Sequence, residues 1–465
     1  MSKKFNVLHA GILYVIGSFF AQGLRFLTLP IFSRVMSPDD YGFIGSYELW
    51  VSILTVFVGL QTAATIPNAF IDFGEKKVDR FTSSVLMTGI LSTIIILIII
   101  VASNSLLVTI FELEAYILIV GLIQCLFSYC ISMLTSKYRI QERVISFLVF
   151  SIGSSVLSIV SAIILTNSFE TDKYVGYIFG MFVGYLIMGI IAVFTVYCAD
   201  KCIYDIEMIS YALKLSTPLI LHTLATVILS RINQLMLLKF IGPTEAGLYN
   251  FGNNFAFIVN GIYTAFNQAY LPWYYKRLHA KDTITVRKTS EKYIELFTLF
   301  VAGLILIIPE VIRIMSTEEY YYAMYIVPIV IVGMDINYLY TFPVNYEFYH
   351  KKTQFIATGT IFAAICNVIL NLILINNFGI IGAGVATAMS SCVLLLFHFI
   401  IAKYIVKEFE LSYVPFIKGI VFVCITMAVY YFIIDSLIIR GIIILALLCV
   451  ALTKVKGFLK TIQSN

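Results

Sequence analysis

Apolar residues in this chain gather into blocks of about twenty, long enough to cross the hydrocarbon core of a bilayer. Fourteen such spans are predicted, approximately 8–31, 43–66, 81–103, 114–136, 144–166, 174–198, 214–238, 246–271, 293–312, 321–346, 354–375, 380–402, 414–434 and 437–453. Polar residues inside the spans are not scattered. In span 1, Ser18, Gln22 and Arg25 fall at i, i+4 and i+7, on one helical face. In span 2, Glu48, Ser52, Thr55, Gly59 and Thr62 form a stripe at alternating steps of 4 and 3. Span 7 offers Thr226, Ser230 and Asn233 with Arg231 and Gln234 beside them, and span 8 carries Asn253, Asn260, Thr264 and Asn267. Such faces gain nothing by meeting lipid, so these four spans are expected to line a shared, water-filled cavity. Taken singly, the same Ser, Thr and Asn residues also serve to join helices by hydrogen bonds.

The punctuation between spans is written twice. Arg34, Pro38, Gly42 and Pro67 recur as Lys239, Pro243, Gly247 and Pro272, each pair 205 positions apart. An acid stands between the first Pro and the Gly each time, Asp39 and Asp40 and then Glu245. Pro cannot continue a helix and Gly permits a tight reversal, so each copy predicts a helix–turn–helix corner at the membrane surface. The repeat predicts an all-α polytopic membrane protein with two pseudo-symmetric six-helix bundles and two additional C-terminal helices. The corresponding division is 1–200, 201–410 and 411–465.

Composition confirms the class. Of 465 residues 60% are hydrophobic and only 12% charged, with mean hydropathy +0.95, against roughly 25% charged residues in a soluble protein. Charge then sets an orientation. With a cytoplasmic amino terminus, 24 of the 31 Lys and Arg fall in cytoplasmic segments and five, Arg34, Lys173, Lys239, Arg313 and Arg440, on the opposite side. Arg25 and Arg231 remain within the membrane. This asymmetry is a positive-inside signature and places both termini in the cytoplasm. The net charge of +5 therefore reports topology and not nucleic-acid binding. The first apolar stretch has no small-residue cleavage site and is expected to be retained as span 1. The stretch from Trp273 to Lys292, with six basic residues, reads as the longest cytoplasmic loop. No Gly-x-x-x-x-Gly-Lys-Ser/Thr loop occurs, which argues against a pump with its own nucleotide-binding domain. Most of the eight cysteines lie in apolar spans, and neither a disulfide framework nor a metal site follows. No catalytic residue set and no cofactor is expected.

Chemistry concentrates on the two intramembrane arginines. A guanidinium at mid-bilayer costs roughly 2.5–3.5 kcal/mol on the insertion scale, so Arg25 and Arg231 should face a partner or a hydrated cavity. Acids at matching depth are few: Glu48 about two turns below the outer surface, Asp335 near the middle of span 10, and Glu295 near the cytoplasmic end of span 9. Asp335 can either neutralise an arginine or bind a proton or cation, and with Glu48 it is the candidate for ion coupling. Two cavity arginines suit an anion rich in oxygens, because guanidinium forms charge-assisted, often bidentate bonds to phosphate. A diphosphate linking a sugar to a lipid carrier fits. Arg25 and Arg231 are the candidate diphosphate binders, and Ser18, Gln22, Glu48, Asn233, Gln234, Asn260 and Asn267 the candidate polar lining.

Four stretches carry a family resemblance. Ser37-Pro38-Asp39-Asp40-Tyr41-Gly42 resembles the turn after the first helix of the Wzx-type polysaccharide flippases, in the multidrug/oligosaccharidyl-lipid/polysaccharide exporter superfamily. Pro218-Leu219-Ile220 through Gly242-Pro243-Thr244-Glu245-Ala246-Gly247-Leu248-Tyr249 is similar to that family's seventh helix and following turn. Glu318-Glu319-Tyr320 resembles an outer-loop motif, and Asn367 to Asn371 followed by Phe378 to Thr387 resembles the junction of helices 11 and 12. The chain departs in span 7, where an Asp-Arg pair is common and Arg231, Asn233 and Gln234 stand here.

The resemblance implies an alternating-access transporter that moves undecaprenyl-diphosphate-linked oligosaccharide to the outer leaflet of the cytoplasmic membrane. It implies a central cationic cavity, onto which Arg25 and Arg231 map, and it likens the last two spans to lipid-tail-associated helices. Expected partners are the lipid-linked oligosaccharide, the bilayer, and a polysaccharide polymerase with other export machinery, with the chain itself a monomer. Two alternatives differ in cargo. A lipid II flippase for peptidoglycan shares the cavity logic, whereas a multidrug/cation antiporter needs acids in its first bundle, where Arg25 stands.

Overall fold

The computed structural model describes residues 23–463 apart from 25, 408 and 410. Every regular element among them is helical, as a chain must be when hydrocarbon leaves backbone groups no partner but each other. The first half holds α1 (Phe26–Val35), α2 (Pro38–Phe57), a 3-10 segment (Val58–Thr65), α3 (Ile66–Phe73), α4 (Glu75–Ala102), α5 (Asn104–Phe111), α6 (Ala115–Ile140), α7 (Val144–Ser168), α8 (Lys173–Ala199) and α9 (Ile206–Phe240). Next come α10 (Pro243–His279), α11 (Thr283–Met315), α12 (Val327–Leu339), α13 (Thr341–Tyr349), α14 (Thr353–Ile400), a π-helical turn (Ile401–Val406), α15 (Val414–Ile433) and α16 (Leu437–Gln463). Eleven of the described helices are long and apolar enough to cross a membrane. By proximity the chain divides into two compact units, Met1–Gly247 and Leu248–Asn465.

In the first unit, both copies of the repeated corner are helix starts. Ser37 caps α2: its hydroxyl accepts from the Asp40 N–H at 3.3 Å, while the Asp40 carboxylate accepts from the Ser37 N–H at 3.0 Å. Pro38 then occupies the first turn, where a missing N–H costs nothing. The second copy uses Gly242, at φ +143, to turn from α9 into Pro243 and α10. The two copies meet reciprocally. A Cβ on Gly42 would lie 2.3 Å from the Pro243 carbonyl oxygen, and one on Gly247 only 1.6 Å from that of Pro38. The Thr244 hydroxyl donates to the Asp39 carboxylate at 2.6 Å, and these residues too are 205 apart. Each corner therefore packs on the other's first residue, as a two-fold relation between repeats requires.

The stripe predicted along span 2 does not continue to its end. Gly59, Leu60 and Gln61 have φ of +70, +48 and +61, so the helical face breaks after Phe57. Thr62 consequently does not line the stripe; it is buried, and its hydroxyl meets that of Tyr129 at 2.7 Å. The Gly59 N–H donates to the Ser92 hydroxyl at 2.9 Å. A Cβ on Gly59 would fall 2.2 Å from the Tyr129 ring, so no larger residue fits there. Left-handed backbone at Leu60 and Gln61 costs roughly 1–2 kcal/mol per residue, and these contacts from α4 and α6 hold it.

In the second unit, α14 folds back on itself. Asn367 donates to the Ser390 hydroxyl at 3.1 Å although the two are 23 residues apart, a distance of roughly 34 Å along a continuous helix. The reversal sits at Gly379, with φ +56 and ψ −135, so the two arms match spans 11 and 12. The expected loop from Trp273 to Lys292 is instead mostly helix: α10 runs to His279 and α11 starts at Thr283. Asp282 caps α11, and hydrogen bonding to Thr285 holds its carboxyl below the usual range.

The C-terminal pair is tied to α11 by an arginine. Arg440 is 1% exposed, grips both oxygens of Glu310 at 2.6 Å, and donates to the Leu306 carbonyl at 3.1 Å. Bidentate geometry of this kind is the strong form of an ion pair. Removing one partner leaves the other charge uncompensated, at a cost of about 3 kcal/mol. Arg440→Ala should therefore loosen α16 while the rest of the fold stands. Limited proteolysis near Asp435 checks this, with rapid cleavage expected only in the variant.

Candidate functional site

Of the two predicted intramembrane arginines, Arg231 lies within the described residues; Arg25, Ser18 and Gln22 lie outside them. Arg231 sits on α9, which packs along α2, and its Nη1 donates to the Glu48 carboxylate. Both side chains are partly accessible, 15% for Arg231 and 21% for Glu48. The guanidinium is thus neither snorkelled alone into lipid nor sealed in a dry core. It is held at the accessible edge of an α2–α9 seam by an acid from the predicted stripe. Asn233 and Gln234, two and three positions along α9, are buried.

The hydroxyls of the same stripes are largely used at home. Thr226, Ser230, Ser52 and Thr55 donate to the carbonyls four residues earlier, at 2.9, 2.8, 2.6 and 2.8 Å. Such back-bonding lets a Ser or Thr sit in an apolar span with no external partner. Polar periodicity alone therefore overstates the cavity lining. The charged residues Glu48 and Arg231 are what single out this seam.

The predicted residues of the second unit are placed differently. On α10, Asn260 accepts from Thr264 at 3.3 Å, and Asn267 accepts from Asn345 of α13 at 2.7 Å. Asp335 on α12 is fully buried, and neither carboxylate oxygen has a hydrogen-bond partner among the described residues. None of the described cations pairs with it, so among the described residues its role as an arginine's counter-ion has no support. A buried, unpartnered carboxylate is costly unless it holds a proton or a cation. Two ionisable clusters were not anticipated: Arg440 with Glu310, and Glu347 with His398, whose side chains are both fully buried. A histidine within span 12 was the available signal for the second. Among the described residues no group of His, Cys, Asp and Glu could hold a metal ion.

A family model described as "Polysaccharide biosynthesis protein" matches residues 7–277, more than half of the chain. The chain belongs to the polysaccharide biosynthesis protein family. A curated relative, "Lsg locus putative protein 1" of Haemophilus influenzae, is 22% identical over 372 residues, covering 77% of this chain and 89% of the relative. Among solved structures, "Lipid II flippase MurJ, inward closed conformation" superposes with a TM-score of 0.74 at 17% identity, covering 97% of this chain and 99% of that one. An inward-facing multidrug resistance MATE family transporter of the MOP superfamily gives 0.66 at 12% identity, covering 87% and 95%. The family member described here thus has the helical fold of MOP-superfamily transporters and is a multi-pass membrane protein. Its fold is one that solved transporters share.

Proposed function

We propose that this chain flips undecaprenyl-diphosphate-linked oligosaccharide units from the inner to the outer leaflet of the cytoplasmic membrane by alternating access, driven by an ion gradient. The observation that carries the reading is Arg231, a partly accessible guanidinium held by Glu48 on the α2–α9 seam. A diphosphate competes with one carboxylate for a guanidinium on favourable terms, since it offers more charge and more oxygens. Family membership supports a polysaccharide cargo, and the positive-inside count supports cytoplasmic termini. Arg25, Ser18, Gln22, Asn260 and Asn267 are the further candidate cavity residues, with Asp335 and Glu48 as the candidate ion-coupling acids; Asn233 and Gln234, expected in the lining, are buried. The N-terminal bundle, C-terminal bundle and extra helix pair divide at about residues 200 and 410 in this reading.

The test uses the full chain reconstituted in vesicles that carry an undecaprenyl-diphosphate-linked oligosaccharide in the inner leaflet. Under an imposed ion gradient, the sugar should become cleavable by a glycosidase added outside. Asp335→Asn should change how that rate depends on the gradient. Flipping of lipid II alone, or transport of organic cations alone, would replace the proposal with the corresponding alternative.

A further inference from the structure

The second unit holds a carboxylate–imidazole pair that the reading above does not use. Glu347, near the end of α13, and His398, near the end of α14, are both fully buried. Glu347 Oε1 lies 2.9 Å from His398 Nδ1. The remaining atoms of each group, Glu347 Oε2 and His398 Nε2, are buried with no hydrogen-bond partner among the described residues. Room for the ring is made by Gly359 on the first arm of α14, where a Cβ would lie 2.6 Å from Nε2.

Other titratable and aromatic groups surround the pair on several elements. Tyr346 of α13 meets the His350 ring at a tilt and donates its hydroxyl to the Lys407 carbonyl at 2.6 Å, while Tyr349 meets His350 edge-on. From between α12 and α13 the Tyr340 ring stands 5.9 Å from the imidazole. In the π-helical turn, Lys403 lies over the rings of Phe399 and Tyr413, and Lys407 is exposed. Lys351 and Lys352 form the exposed turn between α13 and α14. Asp335 on α12 is buried too, and neither of its oxygens hydrogen-bonds to the pair.

A pair of this kind is neutral overall when it shares one proton. An added proton makes it cationic and a lost proton makes it anionic. Either net charge is costly in a dry core and is relieved only if the helix ends part and water enters. Protonation and opening are therefore linked, because the two conformations bind the proton with different affinity. Histidine is the side chain whose charge changes most readily between about pH 5 and 8. The four lysines nearby place the pair within roughly one helical turn of the surface, on the side that the charge count assigns to the cytoplasm.

We propose that Glu347 and His398 form a proton-binding site whose occupancy is exchanged with water when the ends of α13 and α14 open, making the proton the coupling ion. No bond other than that to the transferred proton forms or breaks. The proposal rests on the flippase reading for what the proton drives, and on the pair's own geometry for where it binds.

Hydrogen–deuterium exchange on the full chain in nanodiscs tests the site without any cargo. Once corrected for the intrinsic pH dependence of exchange, residues 341–352 and 396–407 of the wild type should change protection about tenfold across the histidine range. Glu347→Gln and His398→Gln should each abolish that pH dependence, whatever they do to the baseline. In vesicles, collapsing an imposed pH gradient should slow wild-type flipping about tenfold and leave the already slow Glu347→Gln rate unchanged. A wild type whose protection ignores pH, a Glu347→Gln variant that keeps the wild-type response, or flipping that follows sodium alone would overturn the site. Intact pH-linked opening with no flipping of lipid-linked oligosaccharide would instead sink the functional reading and leave the site standing.

Discussion

Replacing Arg231 by alanine should abolish surface polysaccharide while leaving the protein inserted in the membrane, and lysine should rescue only part of the loss. On the proposed reading, alanine removes the cation of the α2–α9 seam that would meet a diphosphate. Lysine keeps the charge but presents a point donor in place of a planar fork, so bidentate capture of phosphate is lost. A purely structural reading predicts something different. If Arg231 served only to neutralise Glu48, then Arg231→Ala should fail because a partly buried carboxylate is stranded, and adding Glu48→Gln should restore function. On the present account the double variant remains without export, because the guanidinium itself is needed by the cargo. Normal export by Arg231→Ala removes the anion-cavity reading altogether. Quantifying surface glycan in cells that express each variant at equal membrane levels makes this comparison.

The second large effect is expected at Gly247. A methyl group there would stand 1.6 Å from the Pro38 carbonyl oxygen and 2.6 Å from its carbon. Those are backbone atoms at the first residue of a capped helix, and they cannot step aside as a side-chain tip can. Overpacking of this sort costs roughly 1–3 kcal/mol, and here it also separates the two repeat corners that Gly42 and Gly247 bring together. Gly247→Ala should lower the unfolding midpoint and reduce export severely. Gly303→Ala supplies the control: nothing lies within 4 Å of its Cβ position, and the site is helical. Exchanging Gly for Ala within a helix is worth up to about 1 kcal/mol in the stabilising direction. Thermal unfolding of the purified variants should separate the two, and a Gly247→Ala protein as stable and active as Gly303→Ala would show that the corners need not touch.

The sequence was most legible where the bilayer constrains it most. Twenty apolar residues have few fates, so the polytopic helical class, the break at Gly379 and the corners at Pro38 and Pro243 could be read from residue order alone. Gly42 and Gly247 read as reversal glycines, whereas both lie inside helices and serve the close approach of the two corners, which spacing does not encode. Other features depend on contacts that spacing does not encode. The left-handed run from Gly59 to Gln61 exists because Tyr129 and Ser92, more than thirty residues away in the chain, hold it. Hydropathy marks where a helix leaves the apolar layer and not where it ends, which is why the charged stretch between α10 and α11 read as a loop.

The candidate site was legible by residue type and less so by partner. Glu48 and Arg231 each stood out as ions at membrane depth, yet only side-chain geometry shows the acid of one predicted stripe on the arginine of another. The Ser and Thr residues of those stripes were read as lining, and back-bonding to their own helices explains them without a cavity. Glu347 was missed because it lies one residue beyond the predicted end of span 10, and a glutamate at a helix end ordinarily reads as interfacial.

Binding of the lipid-linked diphosphate to purified protein tests whether Arg231 captures the anion. Native mass spectrometry of the full chain in detergent can compare an undecaprenyl-diphosphate-linked oligosaccharide with the same glycan on an uncharged lipid. The wild type should retain the diphosphate form, Arg231→Ala should lose most of it, and Arg231→Lys should keep part. Equal retention of charged and uncharged forms, or undiminished binding by Arg231→Ala, would contradict that capture.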